Sequence, residues 1–248
     1  MPQSPWFERA ERLLGSRGLE RLGAATVAVF GLGGVGSFCA EALARSGIGA
    51  LRLVDHDRVT PQNFNRQLCA ARSTLGENKV EAMRARLLDI APDLVVDARP
   101  TFFSEETADE LLGGALSFVV DAIDSLGPKV SLLGHCRARG LPVITALGAG
   151  GRLDPTRIRV APLGLSRGDR LGMWTRKRLR KTGSLAGVMA VFSEEPARPA
   201  RGEAWPPMTV DLERGRQRKI QPSLVMVPAA MGMAAAGHVI TRLSGITS

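Results

Sequence analysis

No run of about 18 or more apolar residues occurs in this 248-residue chain, so no membrane-spanning helix is expected. The first fifteen residues carry acids early and lack an apolar core, which argues against a secretion signal. Cysteine is scarce: Cys39, Cys69 and Cys136 stand far apart, and no C-x-x-C pair exists. A zinc site with four cysteine ligands is excluded by count, and a disulfide framework is not expected. This usage fits a reducing cytosol, so a cytoplasmic location is expected. Internal repeats are absent as well.

Apolar residues are plentiful, at 44%, enough to bury one sizeable core. Positive charge is in excess, with a net charge of +9. It is unevenly placed: residues 165–219 hold 13 Lys and Arg against 6 Asp and Glu, a balance of +7. Such a block suits a polyanionic partner such as nucleic acid, or is simply a solvated arginine-rich surface. Composition leaves both readings open.

Along the chain, residues 8–22 read as a helix of mixed charge. The apolar run 26–30 reads as a buried parallel strand, followed by a glycine loop and a helix through residue 45. Further strands are expected at 51–55, 94–98, 118–123 and 142–145. Helices are expected over 77–90, 105–112 (capped by Ser104) and 129–139. Strands alternating with helices predict an α/β, Rossmann-like, mostly parallel doubly wound sheet. Residues 157–160 offer one more strand. Residues 164–219, basic and broken by prolines, are expected to form long loops. A small-residue helix over 228–243 is expected to pack closely on another element.

The loop Gly31-Leu32-Gly33-Gly34-Val35-Gly36 lies between a strand and a helix. Its glycines permit a tight turn and let backbone N–H groups approach a phosphate at the positive helix end. Asp55, 19 positions after Gly36, stands where an acid holds ribose hydroxyls in dinucleotide folds. These features predict nucleotide binding without choosing between NAD, FAD and ATP.

Residues beyond Asp55 make the choice. After Asp55-His56-Asp57 come Asn63, Asn65, Arg66 and Gln67, then Lys79, then Asp121-Ala122-Ile123-Asp124. Attack of a carboxylate on a triphosphate brings negative groups together. Arg66 and Lys79 are suited to offset that repulsion and to stabilise the leaving pyrophosphate. An acid such as Asp124 at a strand's carboxyl end is suited to hold Mg²⁺. A hydride-transfer enzyme has no need of this cationic pair.

Taken in order, the stretches GxGGxG, DxD, NxNRQ, GxxKxE and DAIDS resemble the ubiquitin-activating-enzyme-like (ThiF/MoeB-type) adenylating superfamily over residues 9–151. The resemblance implies that Asp55 binds ribose, that Asn63, Arg66 and Lys79 contact phosphates, and that Asp124 places Mg²⁺. Gly31, Gly33, Gly34, Gly36, Asp57, Asn65 and Gln67 belong to the same nucleotide-binding motifs. An arginine from the partner subunit is also implied, with Arg12 the candidate and Arg9 the runner-up, and hence a homodimer. The chain 1–248 is then one adenylating domain: helix 8–22, nucleotide-binding core 24–160, and basic segment with a C-terminal helix over 161–248.

Within that superfamily the likeness narrows to the branch that cyclises threonylcarbamoyladenosine in tRNA. Residues 42–49, 65–67, 121–125, 148–156, 177–180 and 191–194 carry it. The implied reaction consumes ATP, passes through a carboxyl-adenylate, and closes a ring with net loss of water. The chain departs from this branch at Ala190, where many members carry a cysteine, and over residues 221–232.

Three other readings compete. One is an adenylyltransferase for a sulfur-carrier or ubiquitin-like protein, which implies a carrier or sulfur-donor partner. Another is an NAD- or FAD-binding oxidoreductase, and the last is a tRNA-binding scaffold without turnover. Among remaining residues, His56 is either an ATP contact or a loop histidine. His135, His238, Cys39, Cys136, Met226, Met231 and Met233 read as packing. Cys69, close after Arg66 and Gln67, reads as a small buried thiol, with a reactive thiol the alternative. Trp174 and Trp205, set among arginines, suit base stacking or loop anchoring equally.

Overall fold

The computed structural model describes residues 5–201 and 221–246. Seven strands form one sheet: β1 (Thr26–Phe30), β2 (Ala50–Val54), β3 (Val95–Arg99), β4 (Phe118–Asp121), β5 (Val143–Ala146), β6 (Ile158–Pro162) and β7 (Val188–Ser193). Their spatial order is β3-β2-β1-β4-β5-β7-β6. All pairings are parallel except β6 with β7. The helices are α1 (Glu8–Gly23), α2 (Gly36–Arg45), α3 (Lys79–Ile90), α4 (Ala108–Leu111), α5 (Leu126–Ala138), α6 (Arg170–Lys181) and α7 (Met226–Ser244).

Strand alternation splits the core into two layers. In β1, Val27 and Val29 face a cluster built with Leu43 of α2, Met83 of α3 and Met231 of α7. Ala28 and Phe30 face the other side, with Leu111 of α4, Leu132 of α5 and Leu179 of α6. Helices thus cover both faces, the doubly wound arrangement expected from the alternating pattern. α7 lies on α2, where a Cβ at Gly232 would collide with the Val35 carbonyl and the Phe38 side chain. The small-residue stretch packs as expected.

Several expectations are corrected. Residues 164–219 are not long loops throughout, since they contain α6 and β7. β7 is an apolar run buried between β5 and β6. In α6 the buried stripe is Gly172, Thr175 and Leu179, too small and too polar to stand out among six basic residues. Trp205, Pro206 and Pro207 lie outside the described residues. α4 is a single turn, and Ser104 does not cap it: its N–H donates to Thr107 Oγ1. α1 breaks at Gly15, which takes φ 72°. α5 starts three residues earlier than expected, which brings Lys129 into its body. Met231 is buried, but Met226 and Met233 are exposed rather than packed.

Candidate active site

The strand order reverses at β1, whose neighbours β2 and β4 leave in opposite directions. A parallel sheet opens a crevice beyond its carboxyl ends at such a point. The glycine loop leaves β1 there, Asp55 follows β2, and Asp124 follows β4. Gly31 takes φ 89°, and a Cβ on it would lie 2.8 Å from the Ala122 carbonyl oxygen. Ala122 N–H in turn donates to the Phe30 carbonyl at 2.8 Å. The loops after β1 and β4 are therefore locked together. A Cβ on Gly36 would collide with the Gly31 carbonyl, so the turn closes only with glycine. Gly33 differs: around its Cβ position the nearest atom is Gln67 Nε2, 4.0 Å away, so this side of the loop faces open space. That space and the N-terminus of α2 fit a nucleotide's phosphates.

Asp55 is buried and anchors the loop. Its Oδ2 accepts the Leu32 N–H at 2.6 Å, and its Oδ1 accepts the Asp57 N–H at 2.9 Å. Burial raises its pKa above the usual carboxylate range; nearby Lys79 pulls it back, and Asp57 adds to the rise. Lys79, the first residue of α3, is also buried, and its Nζ lies 2.7 Å from Asp57 Oδ2. Burial opposes its charge, but Asp55 and Asp57 outweigh it and hold its pKa above the ordinary lysine value. One ammonium therefore serves two carboxylates at the crevice. His56 lies beside them, with Nε2 3.3 Å from Asp57 Oδ1 and its ring edge-on to Phe102.

Arg66 is partly buried. Burial lowers its pKa, and the field of Asp124 opposes this, so the guanidinium and that carboxylate share the crevice. Its Nη1 donates to the Gln62 carbonyl and to Asn65 Oδ1. Around the Cβ position of Gly34 lie the Arg66 backbone at 3.2 Å and Pro228 of α7 at 3.1 Å. Gln67 is buried beside the loop. Asn65 Nδ2 reaches the Ser223 carbonyl at 2.9 Å. Asn63 closes the turn over Pro61–Asn63: its Oδ1 accepts the Thr60 N–H at 3.0 Å. That oxygen is committed to the turn. Arg12 is not brought to this crevice by its own chain. It is exposed on α1 and pairs with Glu8 at 2.7 Å.

Two features of the site escaped the sequence. Asp121 and Lys129 are both fully buried and pair at 2.6 Å. Lys129 Nζ also donates to Thr145 Oγ1 and the Ala146 carbonyl, each at 3.0 Å. Asp121 Oδ1 accepts the Ile123 N–H at 3.0 Å, which fixes the turn leading to Asp124. A lysine in the first turns of α5, eight residues after an acid at a strand end, was the available signal. The second feature is Arg152, buried, whose guanidinium donates to the carbonyls of Gly148, Gly150, Gly168 and Glu195. It ties the loop after β5 to the segment entering α6.

Ala190 lies in β7, fully buried and paired with Thr145 of β5. A side chain there packs in the core. The three cysteines are also buried and unpaired. Burial pushes the Cys39 and Cys136 thiols up to about 12 and Cys69 up to about 11. None is poised as a nucleophile.

The fold is shared with known proteins. The tRNA threonylcarbamoyladenosine dehydratase of Bacillus subtilis is 41% identical over 96% of this chain and 94% of its own length. The crystal structure of the Escherichia coli tRNA N6-threonylcarbamoyladenosine dehydratase in complex with ATP superposes with a TM-score of 0.83 at 35% identity. It covers 96% of this chain and 93% of its own. The same enzyme in complex with AMP gives 0.83 at 35% identity, covering 96% and 94%. The model of the ThiF family matches residues 7–248, and the chain belongs to that family.

Proposed function

We propose that the chain uses ATP to cyclise threonylcarbamoyladenosine in tRNA. The observation that carries this reading is the crevice at the sheet's switch point, where the open side of the glycine loop at Gly33 meets Arg66, Lys79, Asp55 and Asp124. A carboxylate oxygen of the substrate attacks the α-phosphorus of ATP, and pyrophosphate leaves. Arg66 and Lys79 offset the charge that builds during this step. The carbamoyl oxygen or nitrogen then attacks the acyl carbon, and a proton is lost from a carbamoyl N–H. AMP departs with the former carboxylate oxygen, so the substrate ends lighter by one water. Asp55 holds the ribose, and the glycine loop with Asn63, Asn65 and Gln67 encloses the phosphates. Asp124, an exposed carboxylate facing Arg66, offers the oxygen donors that Mg²⁺ prefers. When bound, Mg²⁺ neutralises triphosphate charge.

Ring closure inside one substrate needs no thiol carrier, and the three buried cysteines agree with that. So does Ala190, because the position lies in the core. The basic segment supports a tRNA substrate rather than a small carrier protein. No helix among the described residues is long and apolar enough to cross a membrane. The reading includes a cytoplasmic location and a homodimer in which Arg12 of one copy, with Arg9 the runner-up, reaches the other copy's crevice. The test is AMP release from ATP and Mg²⁺ with tRNA carrying the threonylcarbamoyl group, alongside mass spectrometry of the nucleosides. AMP with a nucleoside lighter by one water is expected. AMP release only with a carrier protein ending in Gly-Gly would overturn the tRNA reading.

A further inference from the structure

We propose that the outer face of α6 docks a single-stranded stretch of RNA, with a base stacked on Trp174 and phosphates held by Arg170, Lys177 and Lys181. This rests on the reading of tRNA as substrate and deepens it by naming a surface. Six of the twelve residues of α6 are basic and none is acidic. Helical spacing sorts them. Gly172, Thr175 and Leu179 are buried against the protein, while Arg170, Trp174, Lys177 and Lys181, at i, i+4, i+7 and i+11, share the opposite face. Arg176 is turned aside to Ser166 Oγ and does not belong to that face. Asp169, the one acid at this end, is taken up in capping: its carboxylate accepts the Gly172 N–H.

Trp174 is 40% exposed, so part of its ring is open to solvent. Lys177 Nζ lies 4.9 Å from the ring centroid. An exposed cation–π contact of this kind is weak enough to yield to an incoming base, which frees the lysine for a phosphate. A basic helix alone would suit any duplex backbone. An exposed indole among cations suits unstacked bases, which loops present and duplexes hide.

The helix is also placed for the chemistry. Asp169 fills the space where a Cβ of Gly148 would stand, and Arg152 binds the Gly168 carbonyl, so α6 starts at the carboxyl end of β5. β5 neighbours β4, whose following loop carries Asp124. An RNA loop on α6 therefore lies along the same edge of the sheet as the crevice.

The experiment uses the full chain and two probes, a synthetic RNA stem-loop with an unpaired loop and a blunt RNA duplex of equal length. Binding is measured by fluorescence anisotropy across a salt series, with ATP binding as the check on fold. Trp174→Ala is expected to weaken stem-loop binding on the order of tenfold while duplex binding is unchanged, and Trp174→Phe to restore most of it. Lys177→Ala and Lys181→Ala are each expected to lower the salt slope by about one. Unchanged stem-loop affinity and slope in all of these variants, with ATP binding intact, overturns the surface. Loss from the lysine variants alone, equal for stem-loop and duplex, overturns the single-strand assignment. A wild-type chain that binds neither RNA overturns the tRNA reading itself.

Discussion

Lys79 is the residue on which the crevice's electrostatics turn, because its ammonium pairs with Asp57 and its charge also acts on Asp55. Lys79→Met leaves two carboxylates facing each other. Removing one partner of a fully buried pair costs ~3–5 kcal/mol; with Asp57 half exposed, a loss on the order of 2 kcal/mol is expected. The pH dependence has a definite sign. Burial holds the Asp55 pKa high, and Lys79 is the main influence lowering it, so the variant raises it further. A raised folded-state pKa gives stability that is present below the unfolded value and lost as pH rises through the folded one. The deficit of Lys79→Met against wild type should therefore be larger at about pH 8 than at about pH 4, as read by urea unfolding. The same variant should release no AMP at any pH. A deficit independent of pH would show that Asp55 does not feel Lys79.

Among the elements, the turn from β4 into α5 rests on the buried pair Asp121–Lys129. Lys129→Met strands a buried carboxylate, and a loss of roughly 3–5 kcal/mol is expected. The double variant Asp121→Leu with Lys129→Met should regain much of that stability, since apolar replacement of a buried pair is often neutral. It should not regain AMP formation, because Asp121 Oδ1 holds the Ile123 N–H and through it the position of Asp124. Urea midpoints read beside AMP release separate the two effects; recovery of both would show that the pair only packs. The glycine loop offers a parallel contrast. Gly33→Ala should fold normally yet bind ATP at least tenfold more weakly, because its methyl enters the open side of the loop. Gly36→Ala meets the Gly31 carbonyl and should lose stability as well as ATP binding. Thermal melts with and without ATP distinguish them.

For the whole molecule, the exposed Arg12, paired with its helix neighbour Glu8, makes a definite claim about assembly. If Arg12 acts across a dimer, Arg12→Ala and Lys79→Ala variants should each be inactive alone. Mixed and allowed to exchange subunits, they should regain up to about a quarter of wild-type AMP release, since half the dimers are mixed and each of those has one intact site. An active Arg12→Ala variant would place Arg12 outside the site, and no recovery on mixing, with exchange verified by labelled subunits, would show that Arg12 does not act across a dimer.

The sequence determined the sheet and its phosphate loop, because both signals are local. Apolar runs of strand length alternate with helices, and the glycines at positions 31, 34 and 36 stand where a Cβ would meet backbone or a packed side chain. The motifs from Asp55 to Asp124 were legible for the same reason: each sits at a strand end or helix start, where neighbours along the chain set the geometry. What the sequence could not show were partnerships between distant residues. Asp121 with Lys129, and Arg152 with four carbonyls, exist only once β4, β5 and the segments around α6 are brought together. α6 itself was hidden because its buried stripe is glycine, threonine and one leucine, and only the packed core on one side distinguishes that stripe from the basic face on the other. Position 190 carried the opposite lesson. Its neighbours in the chain set it among motif residues, while the tertiary structure decided its role by closing β7 between two strands, where no substrate reaches.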